Sequence, residues 1–205
     1  MRVSNFIVLF LVVAVVIPAF GEDPPVQTTR DDKGVWFIEG GSLYDVFDAQ
    51  GYAVATDRMF QMDLYRRTAR GTMSELFGAE FLGMNFINGD IAIRNIMYSE
   101  EELTQLFDAL DDDAKTAIHA YVDGVNRRIY EIYGNFMLMP YEYWMGSFFS
   151  YFVEGLGYNM LPAPWAVEDV MAWTALMLRN FDPEALGAMG QLDNYVLFQT
   201  WAQVF

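Results

Sequence analysis

From Asp112 to Gly134 the apolar residues Ile118, Tyr121 with Val122, Val125, Ile129 and Ile132 recur every three or four positions. That spacing gathers them on one face of a helix and on neither face of a strand, so it dictates one long amphipathic helix. Asp111-Asp112-Asp113 ahead of it reads as a solvated cap, because acids suit the positive end of a helix and the alternating spacing of a calcium loop is missing. The same period returns elsewhere. Ser42 is the N-cap of a helix carrying Leu43, Val46, Phe47, Met59, Phe60 and Leu64 as far as Arg70, and Gly71 ends it. Thr72-x-x-Glu75 opens a short helix that stops at Gly78, and Ser99 with Glu102 has capping-box spacing. Pro164-Trp165 starts a helix whose inner face is predicted as Val167, Val170, Met171, Thr174, Met177, Leu178 and Phe181, with Asp182-Pro183 as its stop. A last helical pattern runs from Leu192 to Val204. The period changes near the N-terminus, where Val26–Arg30 and Val35–Glu39 are extended runs around Asp31-Asp32-Lys33-Gly34, a turn sequence. The predicted class is α+β: mostly helical, with an N-terminal β-hairpin.

Residues 1–21 have the form of a signal peptide. Arg2 supplies a positive start, Phe6 to Ile17 an apolar run, and Ala19-Phe20-Gly21 a small-x-small cleavage pattern. The run falls short of the roughly 20 apolar residues a spanning helix needs, so export with cleavage is expected and an uncleaved anchor is the alternative. Residues 22–205 then form one region, secreted or periplasmic.

With 28 acidic against 12 basic residues and a formal charge of −16, the chain repels phosphate backbones, which excludes nucleic acid as a partner. It has no cysteine, so thiol nucleophiles, thiolate metal sites and disulfides are all excluded. Its one histidine, His119, has no G-x-S-x-G elbow to serve. A hydrolase built on this sequence must activate its nucleophile without histidine.

One stretch is more specific than helical patterning. Gly51-Tyr52-Ala53-Val54-Ala55-Thr56-Asp57-Arg58-Met59-Phe60-Gln61-Met62-Asp63-Leu64-Tyr65-Arg66-Arg67 is followed by Gly71-Thr72-Met73-Ser74-Glu75-Leu76-Phe77-Gly78. Further segments are Arg30-Asp31-x-x-Gly34-Val35, Asp90-x-x-x-Arg94, Tyr121-x-Asp123-Gly124-Val125-Asn126 and Pro164-Trp165-x-x-x-Asp169. In order and spacing these closely resemble the α chain of the penicillin amidases, the N-terminal-nucleophile hydrolases that include penicillin acylases and acyl-homoserine-lactone acylases. Read as residues alone, Asp57, Arg58, Asp63, Arg66 and Arg67 favour ion pairs that pin one helix to its neighbours, which is scaffold rather than chemistry.

The resemblance implies an αββα sandwich and a precursor that cuts itself into α and β chains. The nucleophilic serine then opens the β chain, with its own α-amino group as general base. An amine of pKa near 8 needs no histidine for that work. The substrate is a small N-acyl amide. The α chain contributes scaffold and one wall of the acyl pocket, and the family's M-x-x-R-F falls on Met177, Arg179 and Phe181, with the arginine and asparagine of positions 179 and 180 exchanged. The family's calcium-binding glutamate falls on Gln191, whose neutral carbonyl attracts Ca2+ less, so calcium binding through Gln191 and its loss both stay open. Gly34-Val35-Trp36-Phe37-Ile38 also departs from the family by losing a proline and a histidine. A truncated, non-catalytic secreted relative is therefore the rival expectation.

Overall fold

The computed structural model describes residues 26–81, 83–145 and 161–181. Two antiparallel strands open it, β1 (Gln27–Arg30) and β2 (Trp36–Glu39), in a register that pairs Gln27 with Glu39 and Arg30 with Trp36. The Asp31 carboxylate closes the turn by accepting from the backbone N–H groups of Lys33 and Val35. The chain then enters α1 (Leu43–Arg70), where the Ser42 hydroxyl accepts from Asp45 N and Gly71 ends the helix at φ 60, ψ 51. Within α1 the backbone leaves helical values at Arg58 (φ −135, ψ 20), a kink that the apolar spacing did not announce.

A short helix, α2 (Met73–Phe77), follows, then the two-residue strands β3 (Glu80–Phe81) and β4 (Met84–Asn85) and helix α3 (Phe86–Ile96). Next come α4 (Glu100–Asp108), with the Ser99–Glu102 capping box formed, and α5 (Asp112–Gly134), capped by Asp111 accepting from Ala114 N. Helix α6 (Val167–Phe181) is the last described element. None of the described helices is long and apolar enough to cross a membrane.

The architecture turns on how α1 meets α5. Tyr44 Oη donates to Asp123 at 2.7 Å, Arg127 to Asp48 at 2.6 Å and Tyr52 Oη to Glu131 at 2.9 Å. Each pair is separated by 79 residues, so the two helices advance together and lie parallel. Their backbones all but touch. A Cβ on Gly51 would lie 2.1 Å from the Tyr121 carbonyl oxygen, and one on Gly124 would lie 1.9 Å from that of Asp48. Only glycine fits at such a crossing.

Beyond it the helices splay enough for side chains. Ala55, Met59 and Met62 of α1 pack with Val122, Val125, Ile129 and Ile132 of α5, and Tyr143 and Trp165 seal the cluster. A second core joins Ala69, Ile93, Leu103, Ala172 and Leu176 from α1, α3, α4 and α6. This corrects the predicted inner face of α6: Ala172 and Leu176 are buried, whereas Thr174 is exposed and Leu178 is 67% exposed. Ala172 and Leu176 face Ile93 of α3 and Leu103 of α4, and Leu178 lies off that stripe.

Candidate functional site

Asp63, Arg66 and Arg67 of the long motif form a network of buried polar groups, whereas Arg58, expected from the sequence to join an ion pair, is exposed and makes none among the described residues. Asp63, 1% exposed, accepts from Arg66 Nη2 at 2.5 Å, from Arg67 Nε at 3.1 Å and from Tyr143 Oη at 3.1 Å. A carboxylate engaged on both oxygens by two guanidinium groups is a charge-assisted cluster, tolerable in a core only because every member is paired. Burial, reinforced by the charge of Asp63, pushes the Tyr143 phenol far above its ordinary value and keeps it a donor.

Arg66 carries the network onward. Its Nη1 donates to the carbonyls of Ala163 at 2.9 Å and Pro164 at 3.1 Å, and the guanidinium lies 5.3 Å from the centre of the Trp165 ring. Asn126 of α5 holds the same strap from the other side, donating to Trp165 O at 2.9 Å and accepting from Trp165 N at 2.7 Å. Asp169 then accepts from Ala166 N at 2.9 Å at the start of α6, with Arg70 at 3.5 Å and Arg66 at 3.9 Å. Burial raises the Asp169 carboxyl above its usual range, against the pull of that N–H and the two arginines. The position of α6 is thus set by Asp63, Arg66, Asn126 and Asp169.

Asp90 and Arg94 work at the other end. Asp90 accepts from the backbone N–H groups of Met73 and Ser74, each at 2.8 Å, and from Ser74 Oγ at 2.5 Å. It therefore caps α2 from 16 and 17 residues away, and Thr72, the sequence-predicted cap, makes no side-chain cap bond. Arg94 Nε holds the Gly71 carbonyl at 2.8 Å. Ser74 beside a carboxylate is no activated nucleophile, because Asp90 is committed to the turn.

The polar ladder between α1 and α5 has its own signature. The hydrogen bond to Asp123, then burial and charge, push the Tyr44 phenol up to about 12. A raised phenol pKa means that the bond stabilises the fold fully below pH 10 and is lost as pH climbs through about 12. Alkaline absorbance titration of the wild type minus Tyr44→Phe is expected to show one phenol titrating near 12; a difference curve centred near 10 would mean that the bond is absent in solution.

The candidate substrate residues lie on α6 or beyond it. Met177 flanks the second core, half-buried. Arg179 Nη1 donates to the carbonyl of Ile96, the last residue of α3, at 3.2 Å. Phe181 ends the described part of α6, and its side chain, like Gln191, lies outside the described residues. Among the described residues no group of three or more His, Cys, Asp or Glu is placed to hold a metal ion.

Sequence reasoning missed an apolar cleft of about 330 Å³ between α1, α5 and α6, walled by Phe47, Met62, Tyr65, Tyr121, Trp165 and Trp173. Tyr65 and Trp173 stack along it, 4.4 Å between centres and 8° between planes. Val170, Trp173 and Met177 share one stripe of α6, since they are spaced i, i+3, i+7. The signal available was that stripe; Tyr65 was hidden among the charges of its motif.

A sequence profile of the penicillin amidases matches residues 25–197. The chain belongs to the penicillin amidase family. Penicillin acylase 2 proenzyme of Pseudomonas sp. (strain SE83) is 38% identical over 106 residues, 52% of this chain. Penicillin G acylase of Escherichia coli is 31% identical over 121 residues, 58% of this chain. Those matches span only 13% and 14% of the two relatives' own lengths. A solved chain of the thermostable penicillin G acylase from Alcaligenes faecalis aligns at a TM-score of 0.63 and 28% identity, covering 76% of this chain and 73% of that one. In this chain the motif residues are scaffold: a glycine crossing, a buried carboxylate, two turn clamps and a strap.

Proposed function

We propose that this chain is the smaller chain of an exported acylase that hydrolyses small N-acyl amides with an apolar acyl group. It supplies scaffold and one wall of the acyl pocket, and a second chain that begins with serine makes the attack. The observation that carries this is a difference in length. The solved acylase chain is about as long as this one, whereas the proenzyme relative is matched over only 13% of itself. That difference suits a precursor cut into unequal chains. Exposed apolar residues support it as well: Phe136, Met137, Tyr141, Trp144 and Met145 are all exposed, Met137 by 85%, and an apolar surface of that kind suits a protein partner.

In this mechanism the serine α-amino group of the second chain takes the hydroxyl proton as the oxygen attacks the amide carbon. The same chain supplies the oxyanion donors and, with this one, completes an αββα sandwich. The part played by this chain is positioning. Asp63, Arg66, Asn126 and Asp169 fix α6, so that Val170, Trp173 and Met177 present a rigid apolar wall to the acyl group. Phe181 is assigned to the acyl pocket by the family motif alone, and Arg179 serves it indirectly by tying α6 to the Ile96 carbonyl. Calcium enters only through Gln191, and no step depends on it. Residues 1–21 direct export as a cleaved signal peptide.

The rival, a non-catalytic relative, drew support from Trp36 and Phe37, which replace a proline and a histidine. Trp36 Nε1 donates to Asp57 at 2.8 Å, so that substitution is built into the fold and does not mark decay. N-terminal sequencing of the chains that copurify with this one from its native source is expected to find a larger chain beginning with serine. Recovery of this chain alone would overturn the proposal.

A further inference from the structure

We propose that Arg58 is an anchor for a carboxylate of the second chain, which docks in the groove between β2 and the first half of α1. This rests on the assembled acylase proposed above.

The groove has a volume of about 460 Å³ and apolar walls of Trp36, Ile38, Val46 and Val54, with Gln50, Asp57 and Arg58 as polar groups along it. Arg58 stands where α1 breaks its helical step, and it is exposed. Among the described residues it has no hydrogen bond, ion pair or ring contact. The acid beside it is committed elsewhere: Asp57 Oδ2 takes bonds from Arg30 Nη2 at 3.0 Å and Trp36 Nε1 at 2.8 Å.

The other described arginines are all engaged. Arg30, Arg66, Arg67, Arg70, Arg127 and Arg128 pair with carboxylates. Arg94 and Arg179 donate to the carbonyls of Gly71 and Ile96. In a chain with 28 acidic and 12 basic residues, an unpaired arginine beside an apolar groove is complementary to an acid that these residues do not supply. A planar guanidinium can take such a carboxylate by two parallel bonds, and apolar walls strengthen them by excluding water.

The adjoining hairpin points to a polypeptide as the occupant. Two strands of four residues do not make an independently stable sheet, and their outer edges carry no partner strand among the described residues. Val35 and Phe37 are 51% and 55% exposed there. A segment of the second chain laid along that edge extends the sheet by strand addition and brings its acidic side chain to Arg58. Relatives matched over only 13% and 14% of their length have ample sequence to supply it.

The test compares wild type, Arg58→Glu and Arg58→Lys in complex with the serine-initiated second chain, by titrated copurification. Arg58→Glu is expected to weaken association at least about thirtyfold, and Arg58→Lys by less, since it keeps the charge and loses the fork. The Tm of the isolated chain should not change. Assembly of Arg58→Glu as tight as wild type overturns the proposal. A drop in Tm of the isolated chain overturns it too, by assigning the carboxylate to this chain. Normal assembly with a raised KM confined to acidic acyl substrates overturns it in favour of a substrate carboxylate. Absence of any second chain from the wild type is a separate result, which removes the acylase assignment and this proposal with it.

Discussion

Gly124→Ala is expected to destabilise the chain by about 3 kcal/mol and to lower its Tm by roughly 6–12 °C. The added methyl would meet Asp48 O at 1.9 Å and Tyr52 N at 2.8 Å. Both atoms are backbone, and no rotamer change relieves them. The helices must separate instead, which loosens the ladder of Tyr44, Asp48 and Tyr52 and the cluster around Met59. Gly134→Ala is the internal control, because nothing lies within 4 Å of its added carbon and the change falls at the end of the same helix. It should be neutral or slightly stabilising. Thermal unfolding of both variants by circular dichroism decides the matter: equal Tm values would mean that α1 and α5 are not in backbone contact.

Removing the Asp63 carboxylate has the second large effect. Asp63→Ala leaves Arg66 and Arg67, 7% and 4% exposed, with only the longer ion pairs to Asp169 at 3.9 Å and Glu75 at 3.4 Å, and leaves the Tyr143 hydroxyl without its acceptor. Breaking a buried pair from one side costs about 3–5 kcal/mol. A domain whose total stability is about 5–15 kcal/mol then stands near its threshold. The urea midpoint is expected to fall steeply, and soluble yield with it. Asp57→Ala, whose bonds to exposed Arg30 and half-buried Trp36 lie at the surface, should move the midpoint far less. If the two variants unfold alike, the network around Asp63 does not hold the fold.

Much of the scaffold was legible in local sequence. Ser42, Asp111 and the Ser99–Glu102 pair behave as caps because a cap is a bond between residues two or three apart, and the hairpin turn is equally local. The region from Glu80 to Ile96 was not legible. Its helix carries Asn88, Gly89 and four isoleucines, a poor local signal, and it holds through long-range bonds from Asp90 and Arg94 to the Gly71 turn. Thr72 failed as a cap for the same reason, since a distant carboxylate took its place. On α6 two apolar stripes compete, and what selects Ala172 and Leu176 is the packing of α3 and α4, which the local sequence does not record. The motif spacing identified Asp63, Arg66 and Asn126 as important, but only the fold shows that they orient α6. The aromatic cleft was invisible because Tyr65 and Trp173 lie more than a hundred residues apart.

The parallel ladder sets where this chain tolerates insertions and deletions. All three of its pairs span the same interval, and the intervening residues from Gly71 to Asp111 carry none of the ladder. Lengthening that interval adds only a logarithmic entropy, about 0.6 kcal/mol for each doubling of a loop. One residue inserted within α1 between Tyr44 and Tyr52 acts differently: it turns the following helix by about 100° and sends Gly51 away from α5. Length variation among relatives is therefore expected between the two helices, and a fixed count within each.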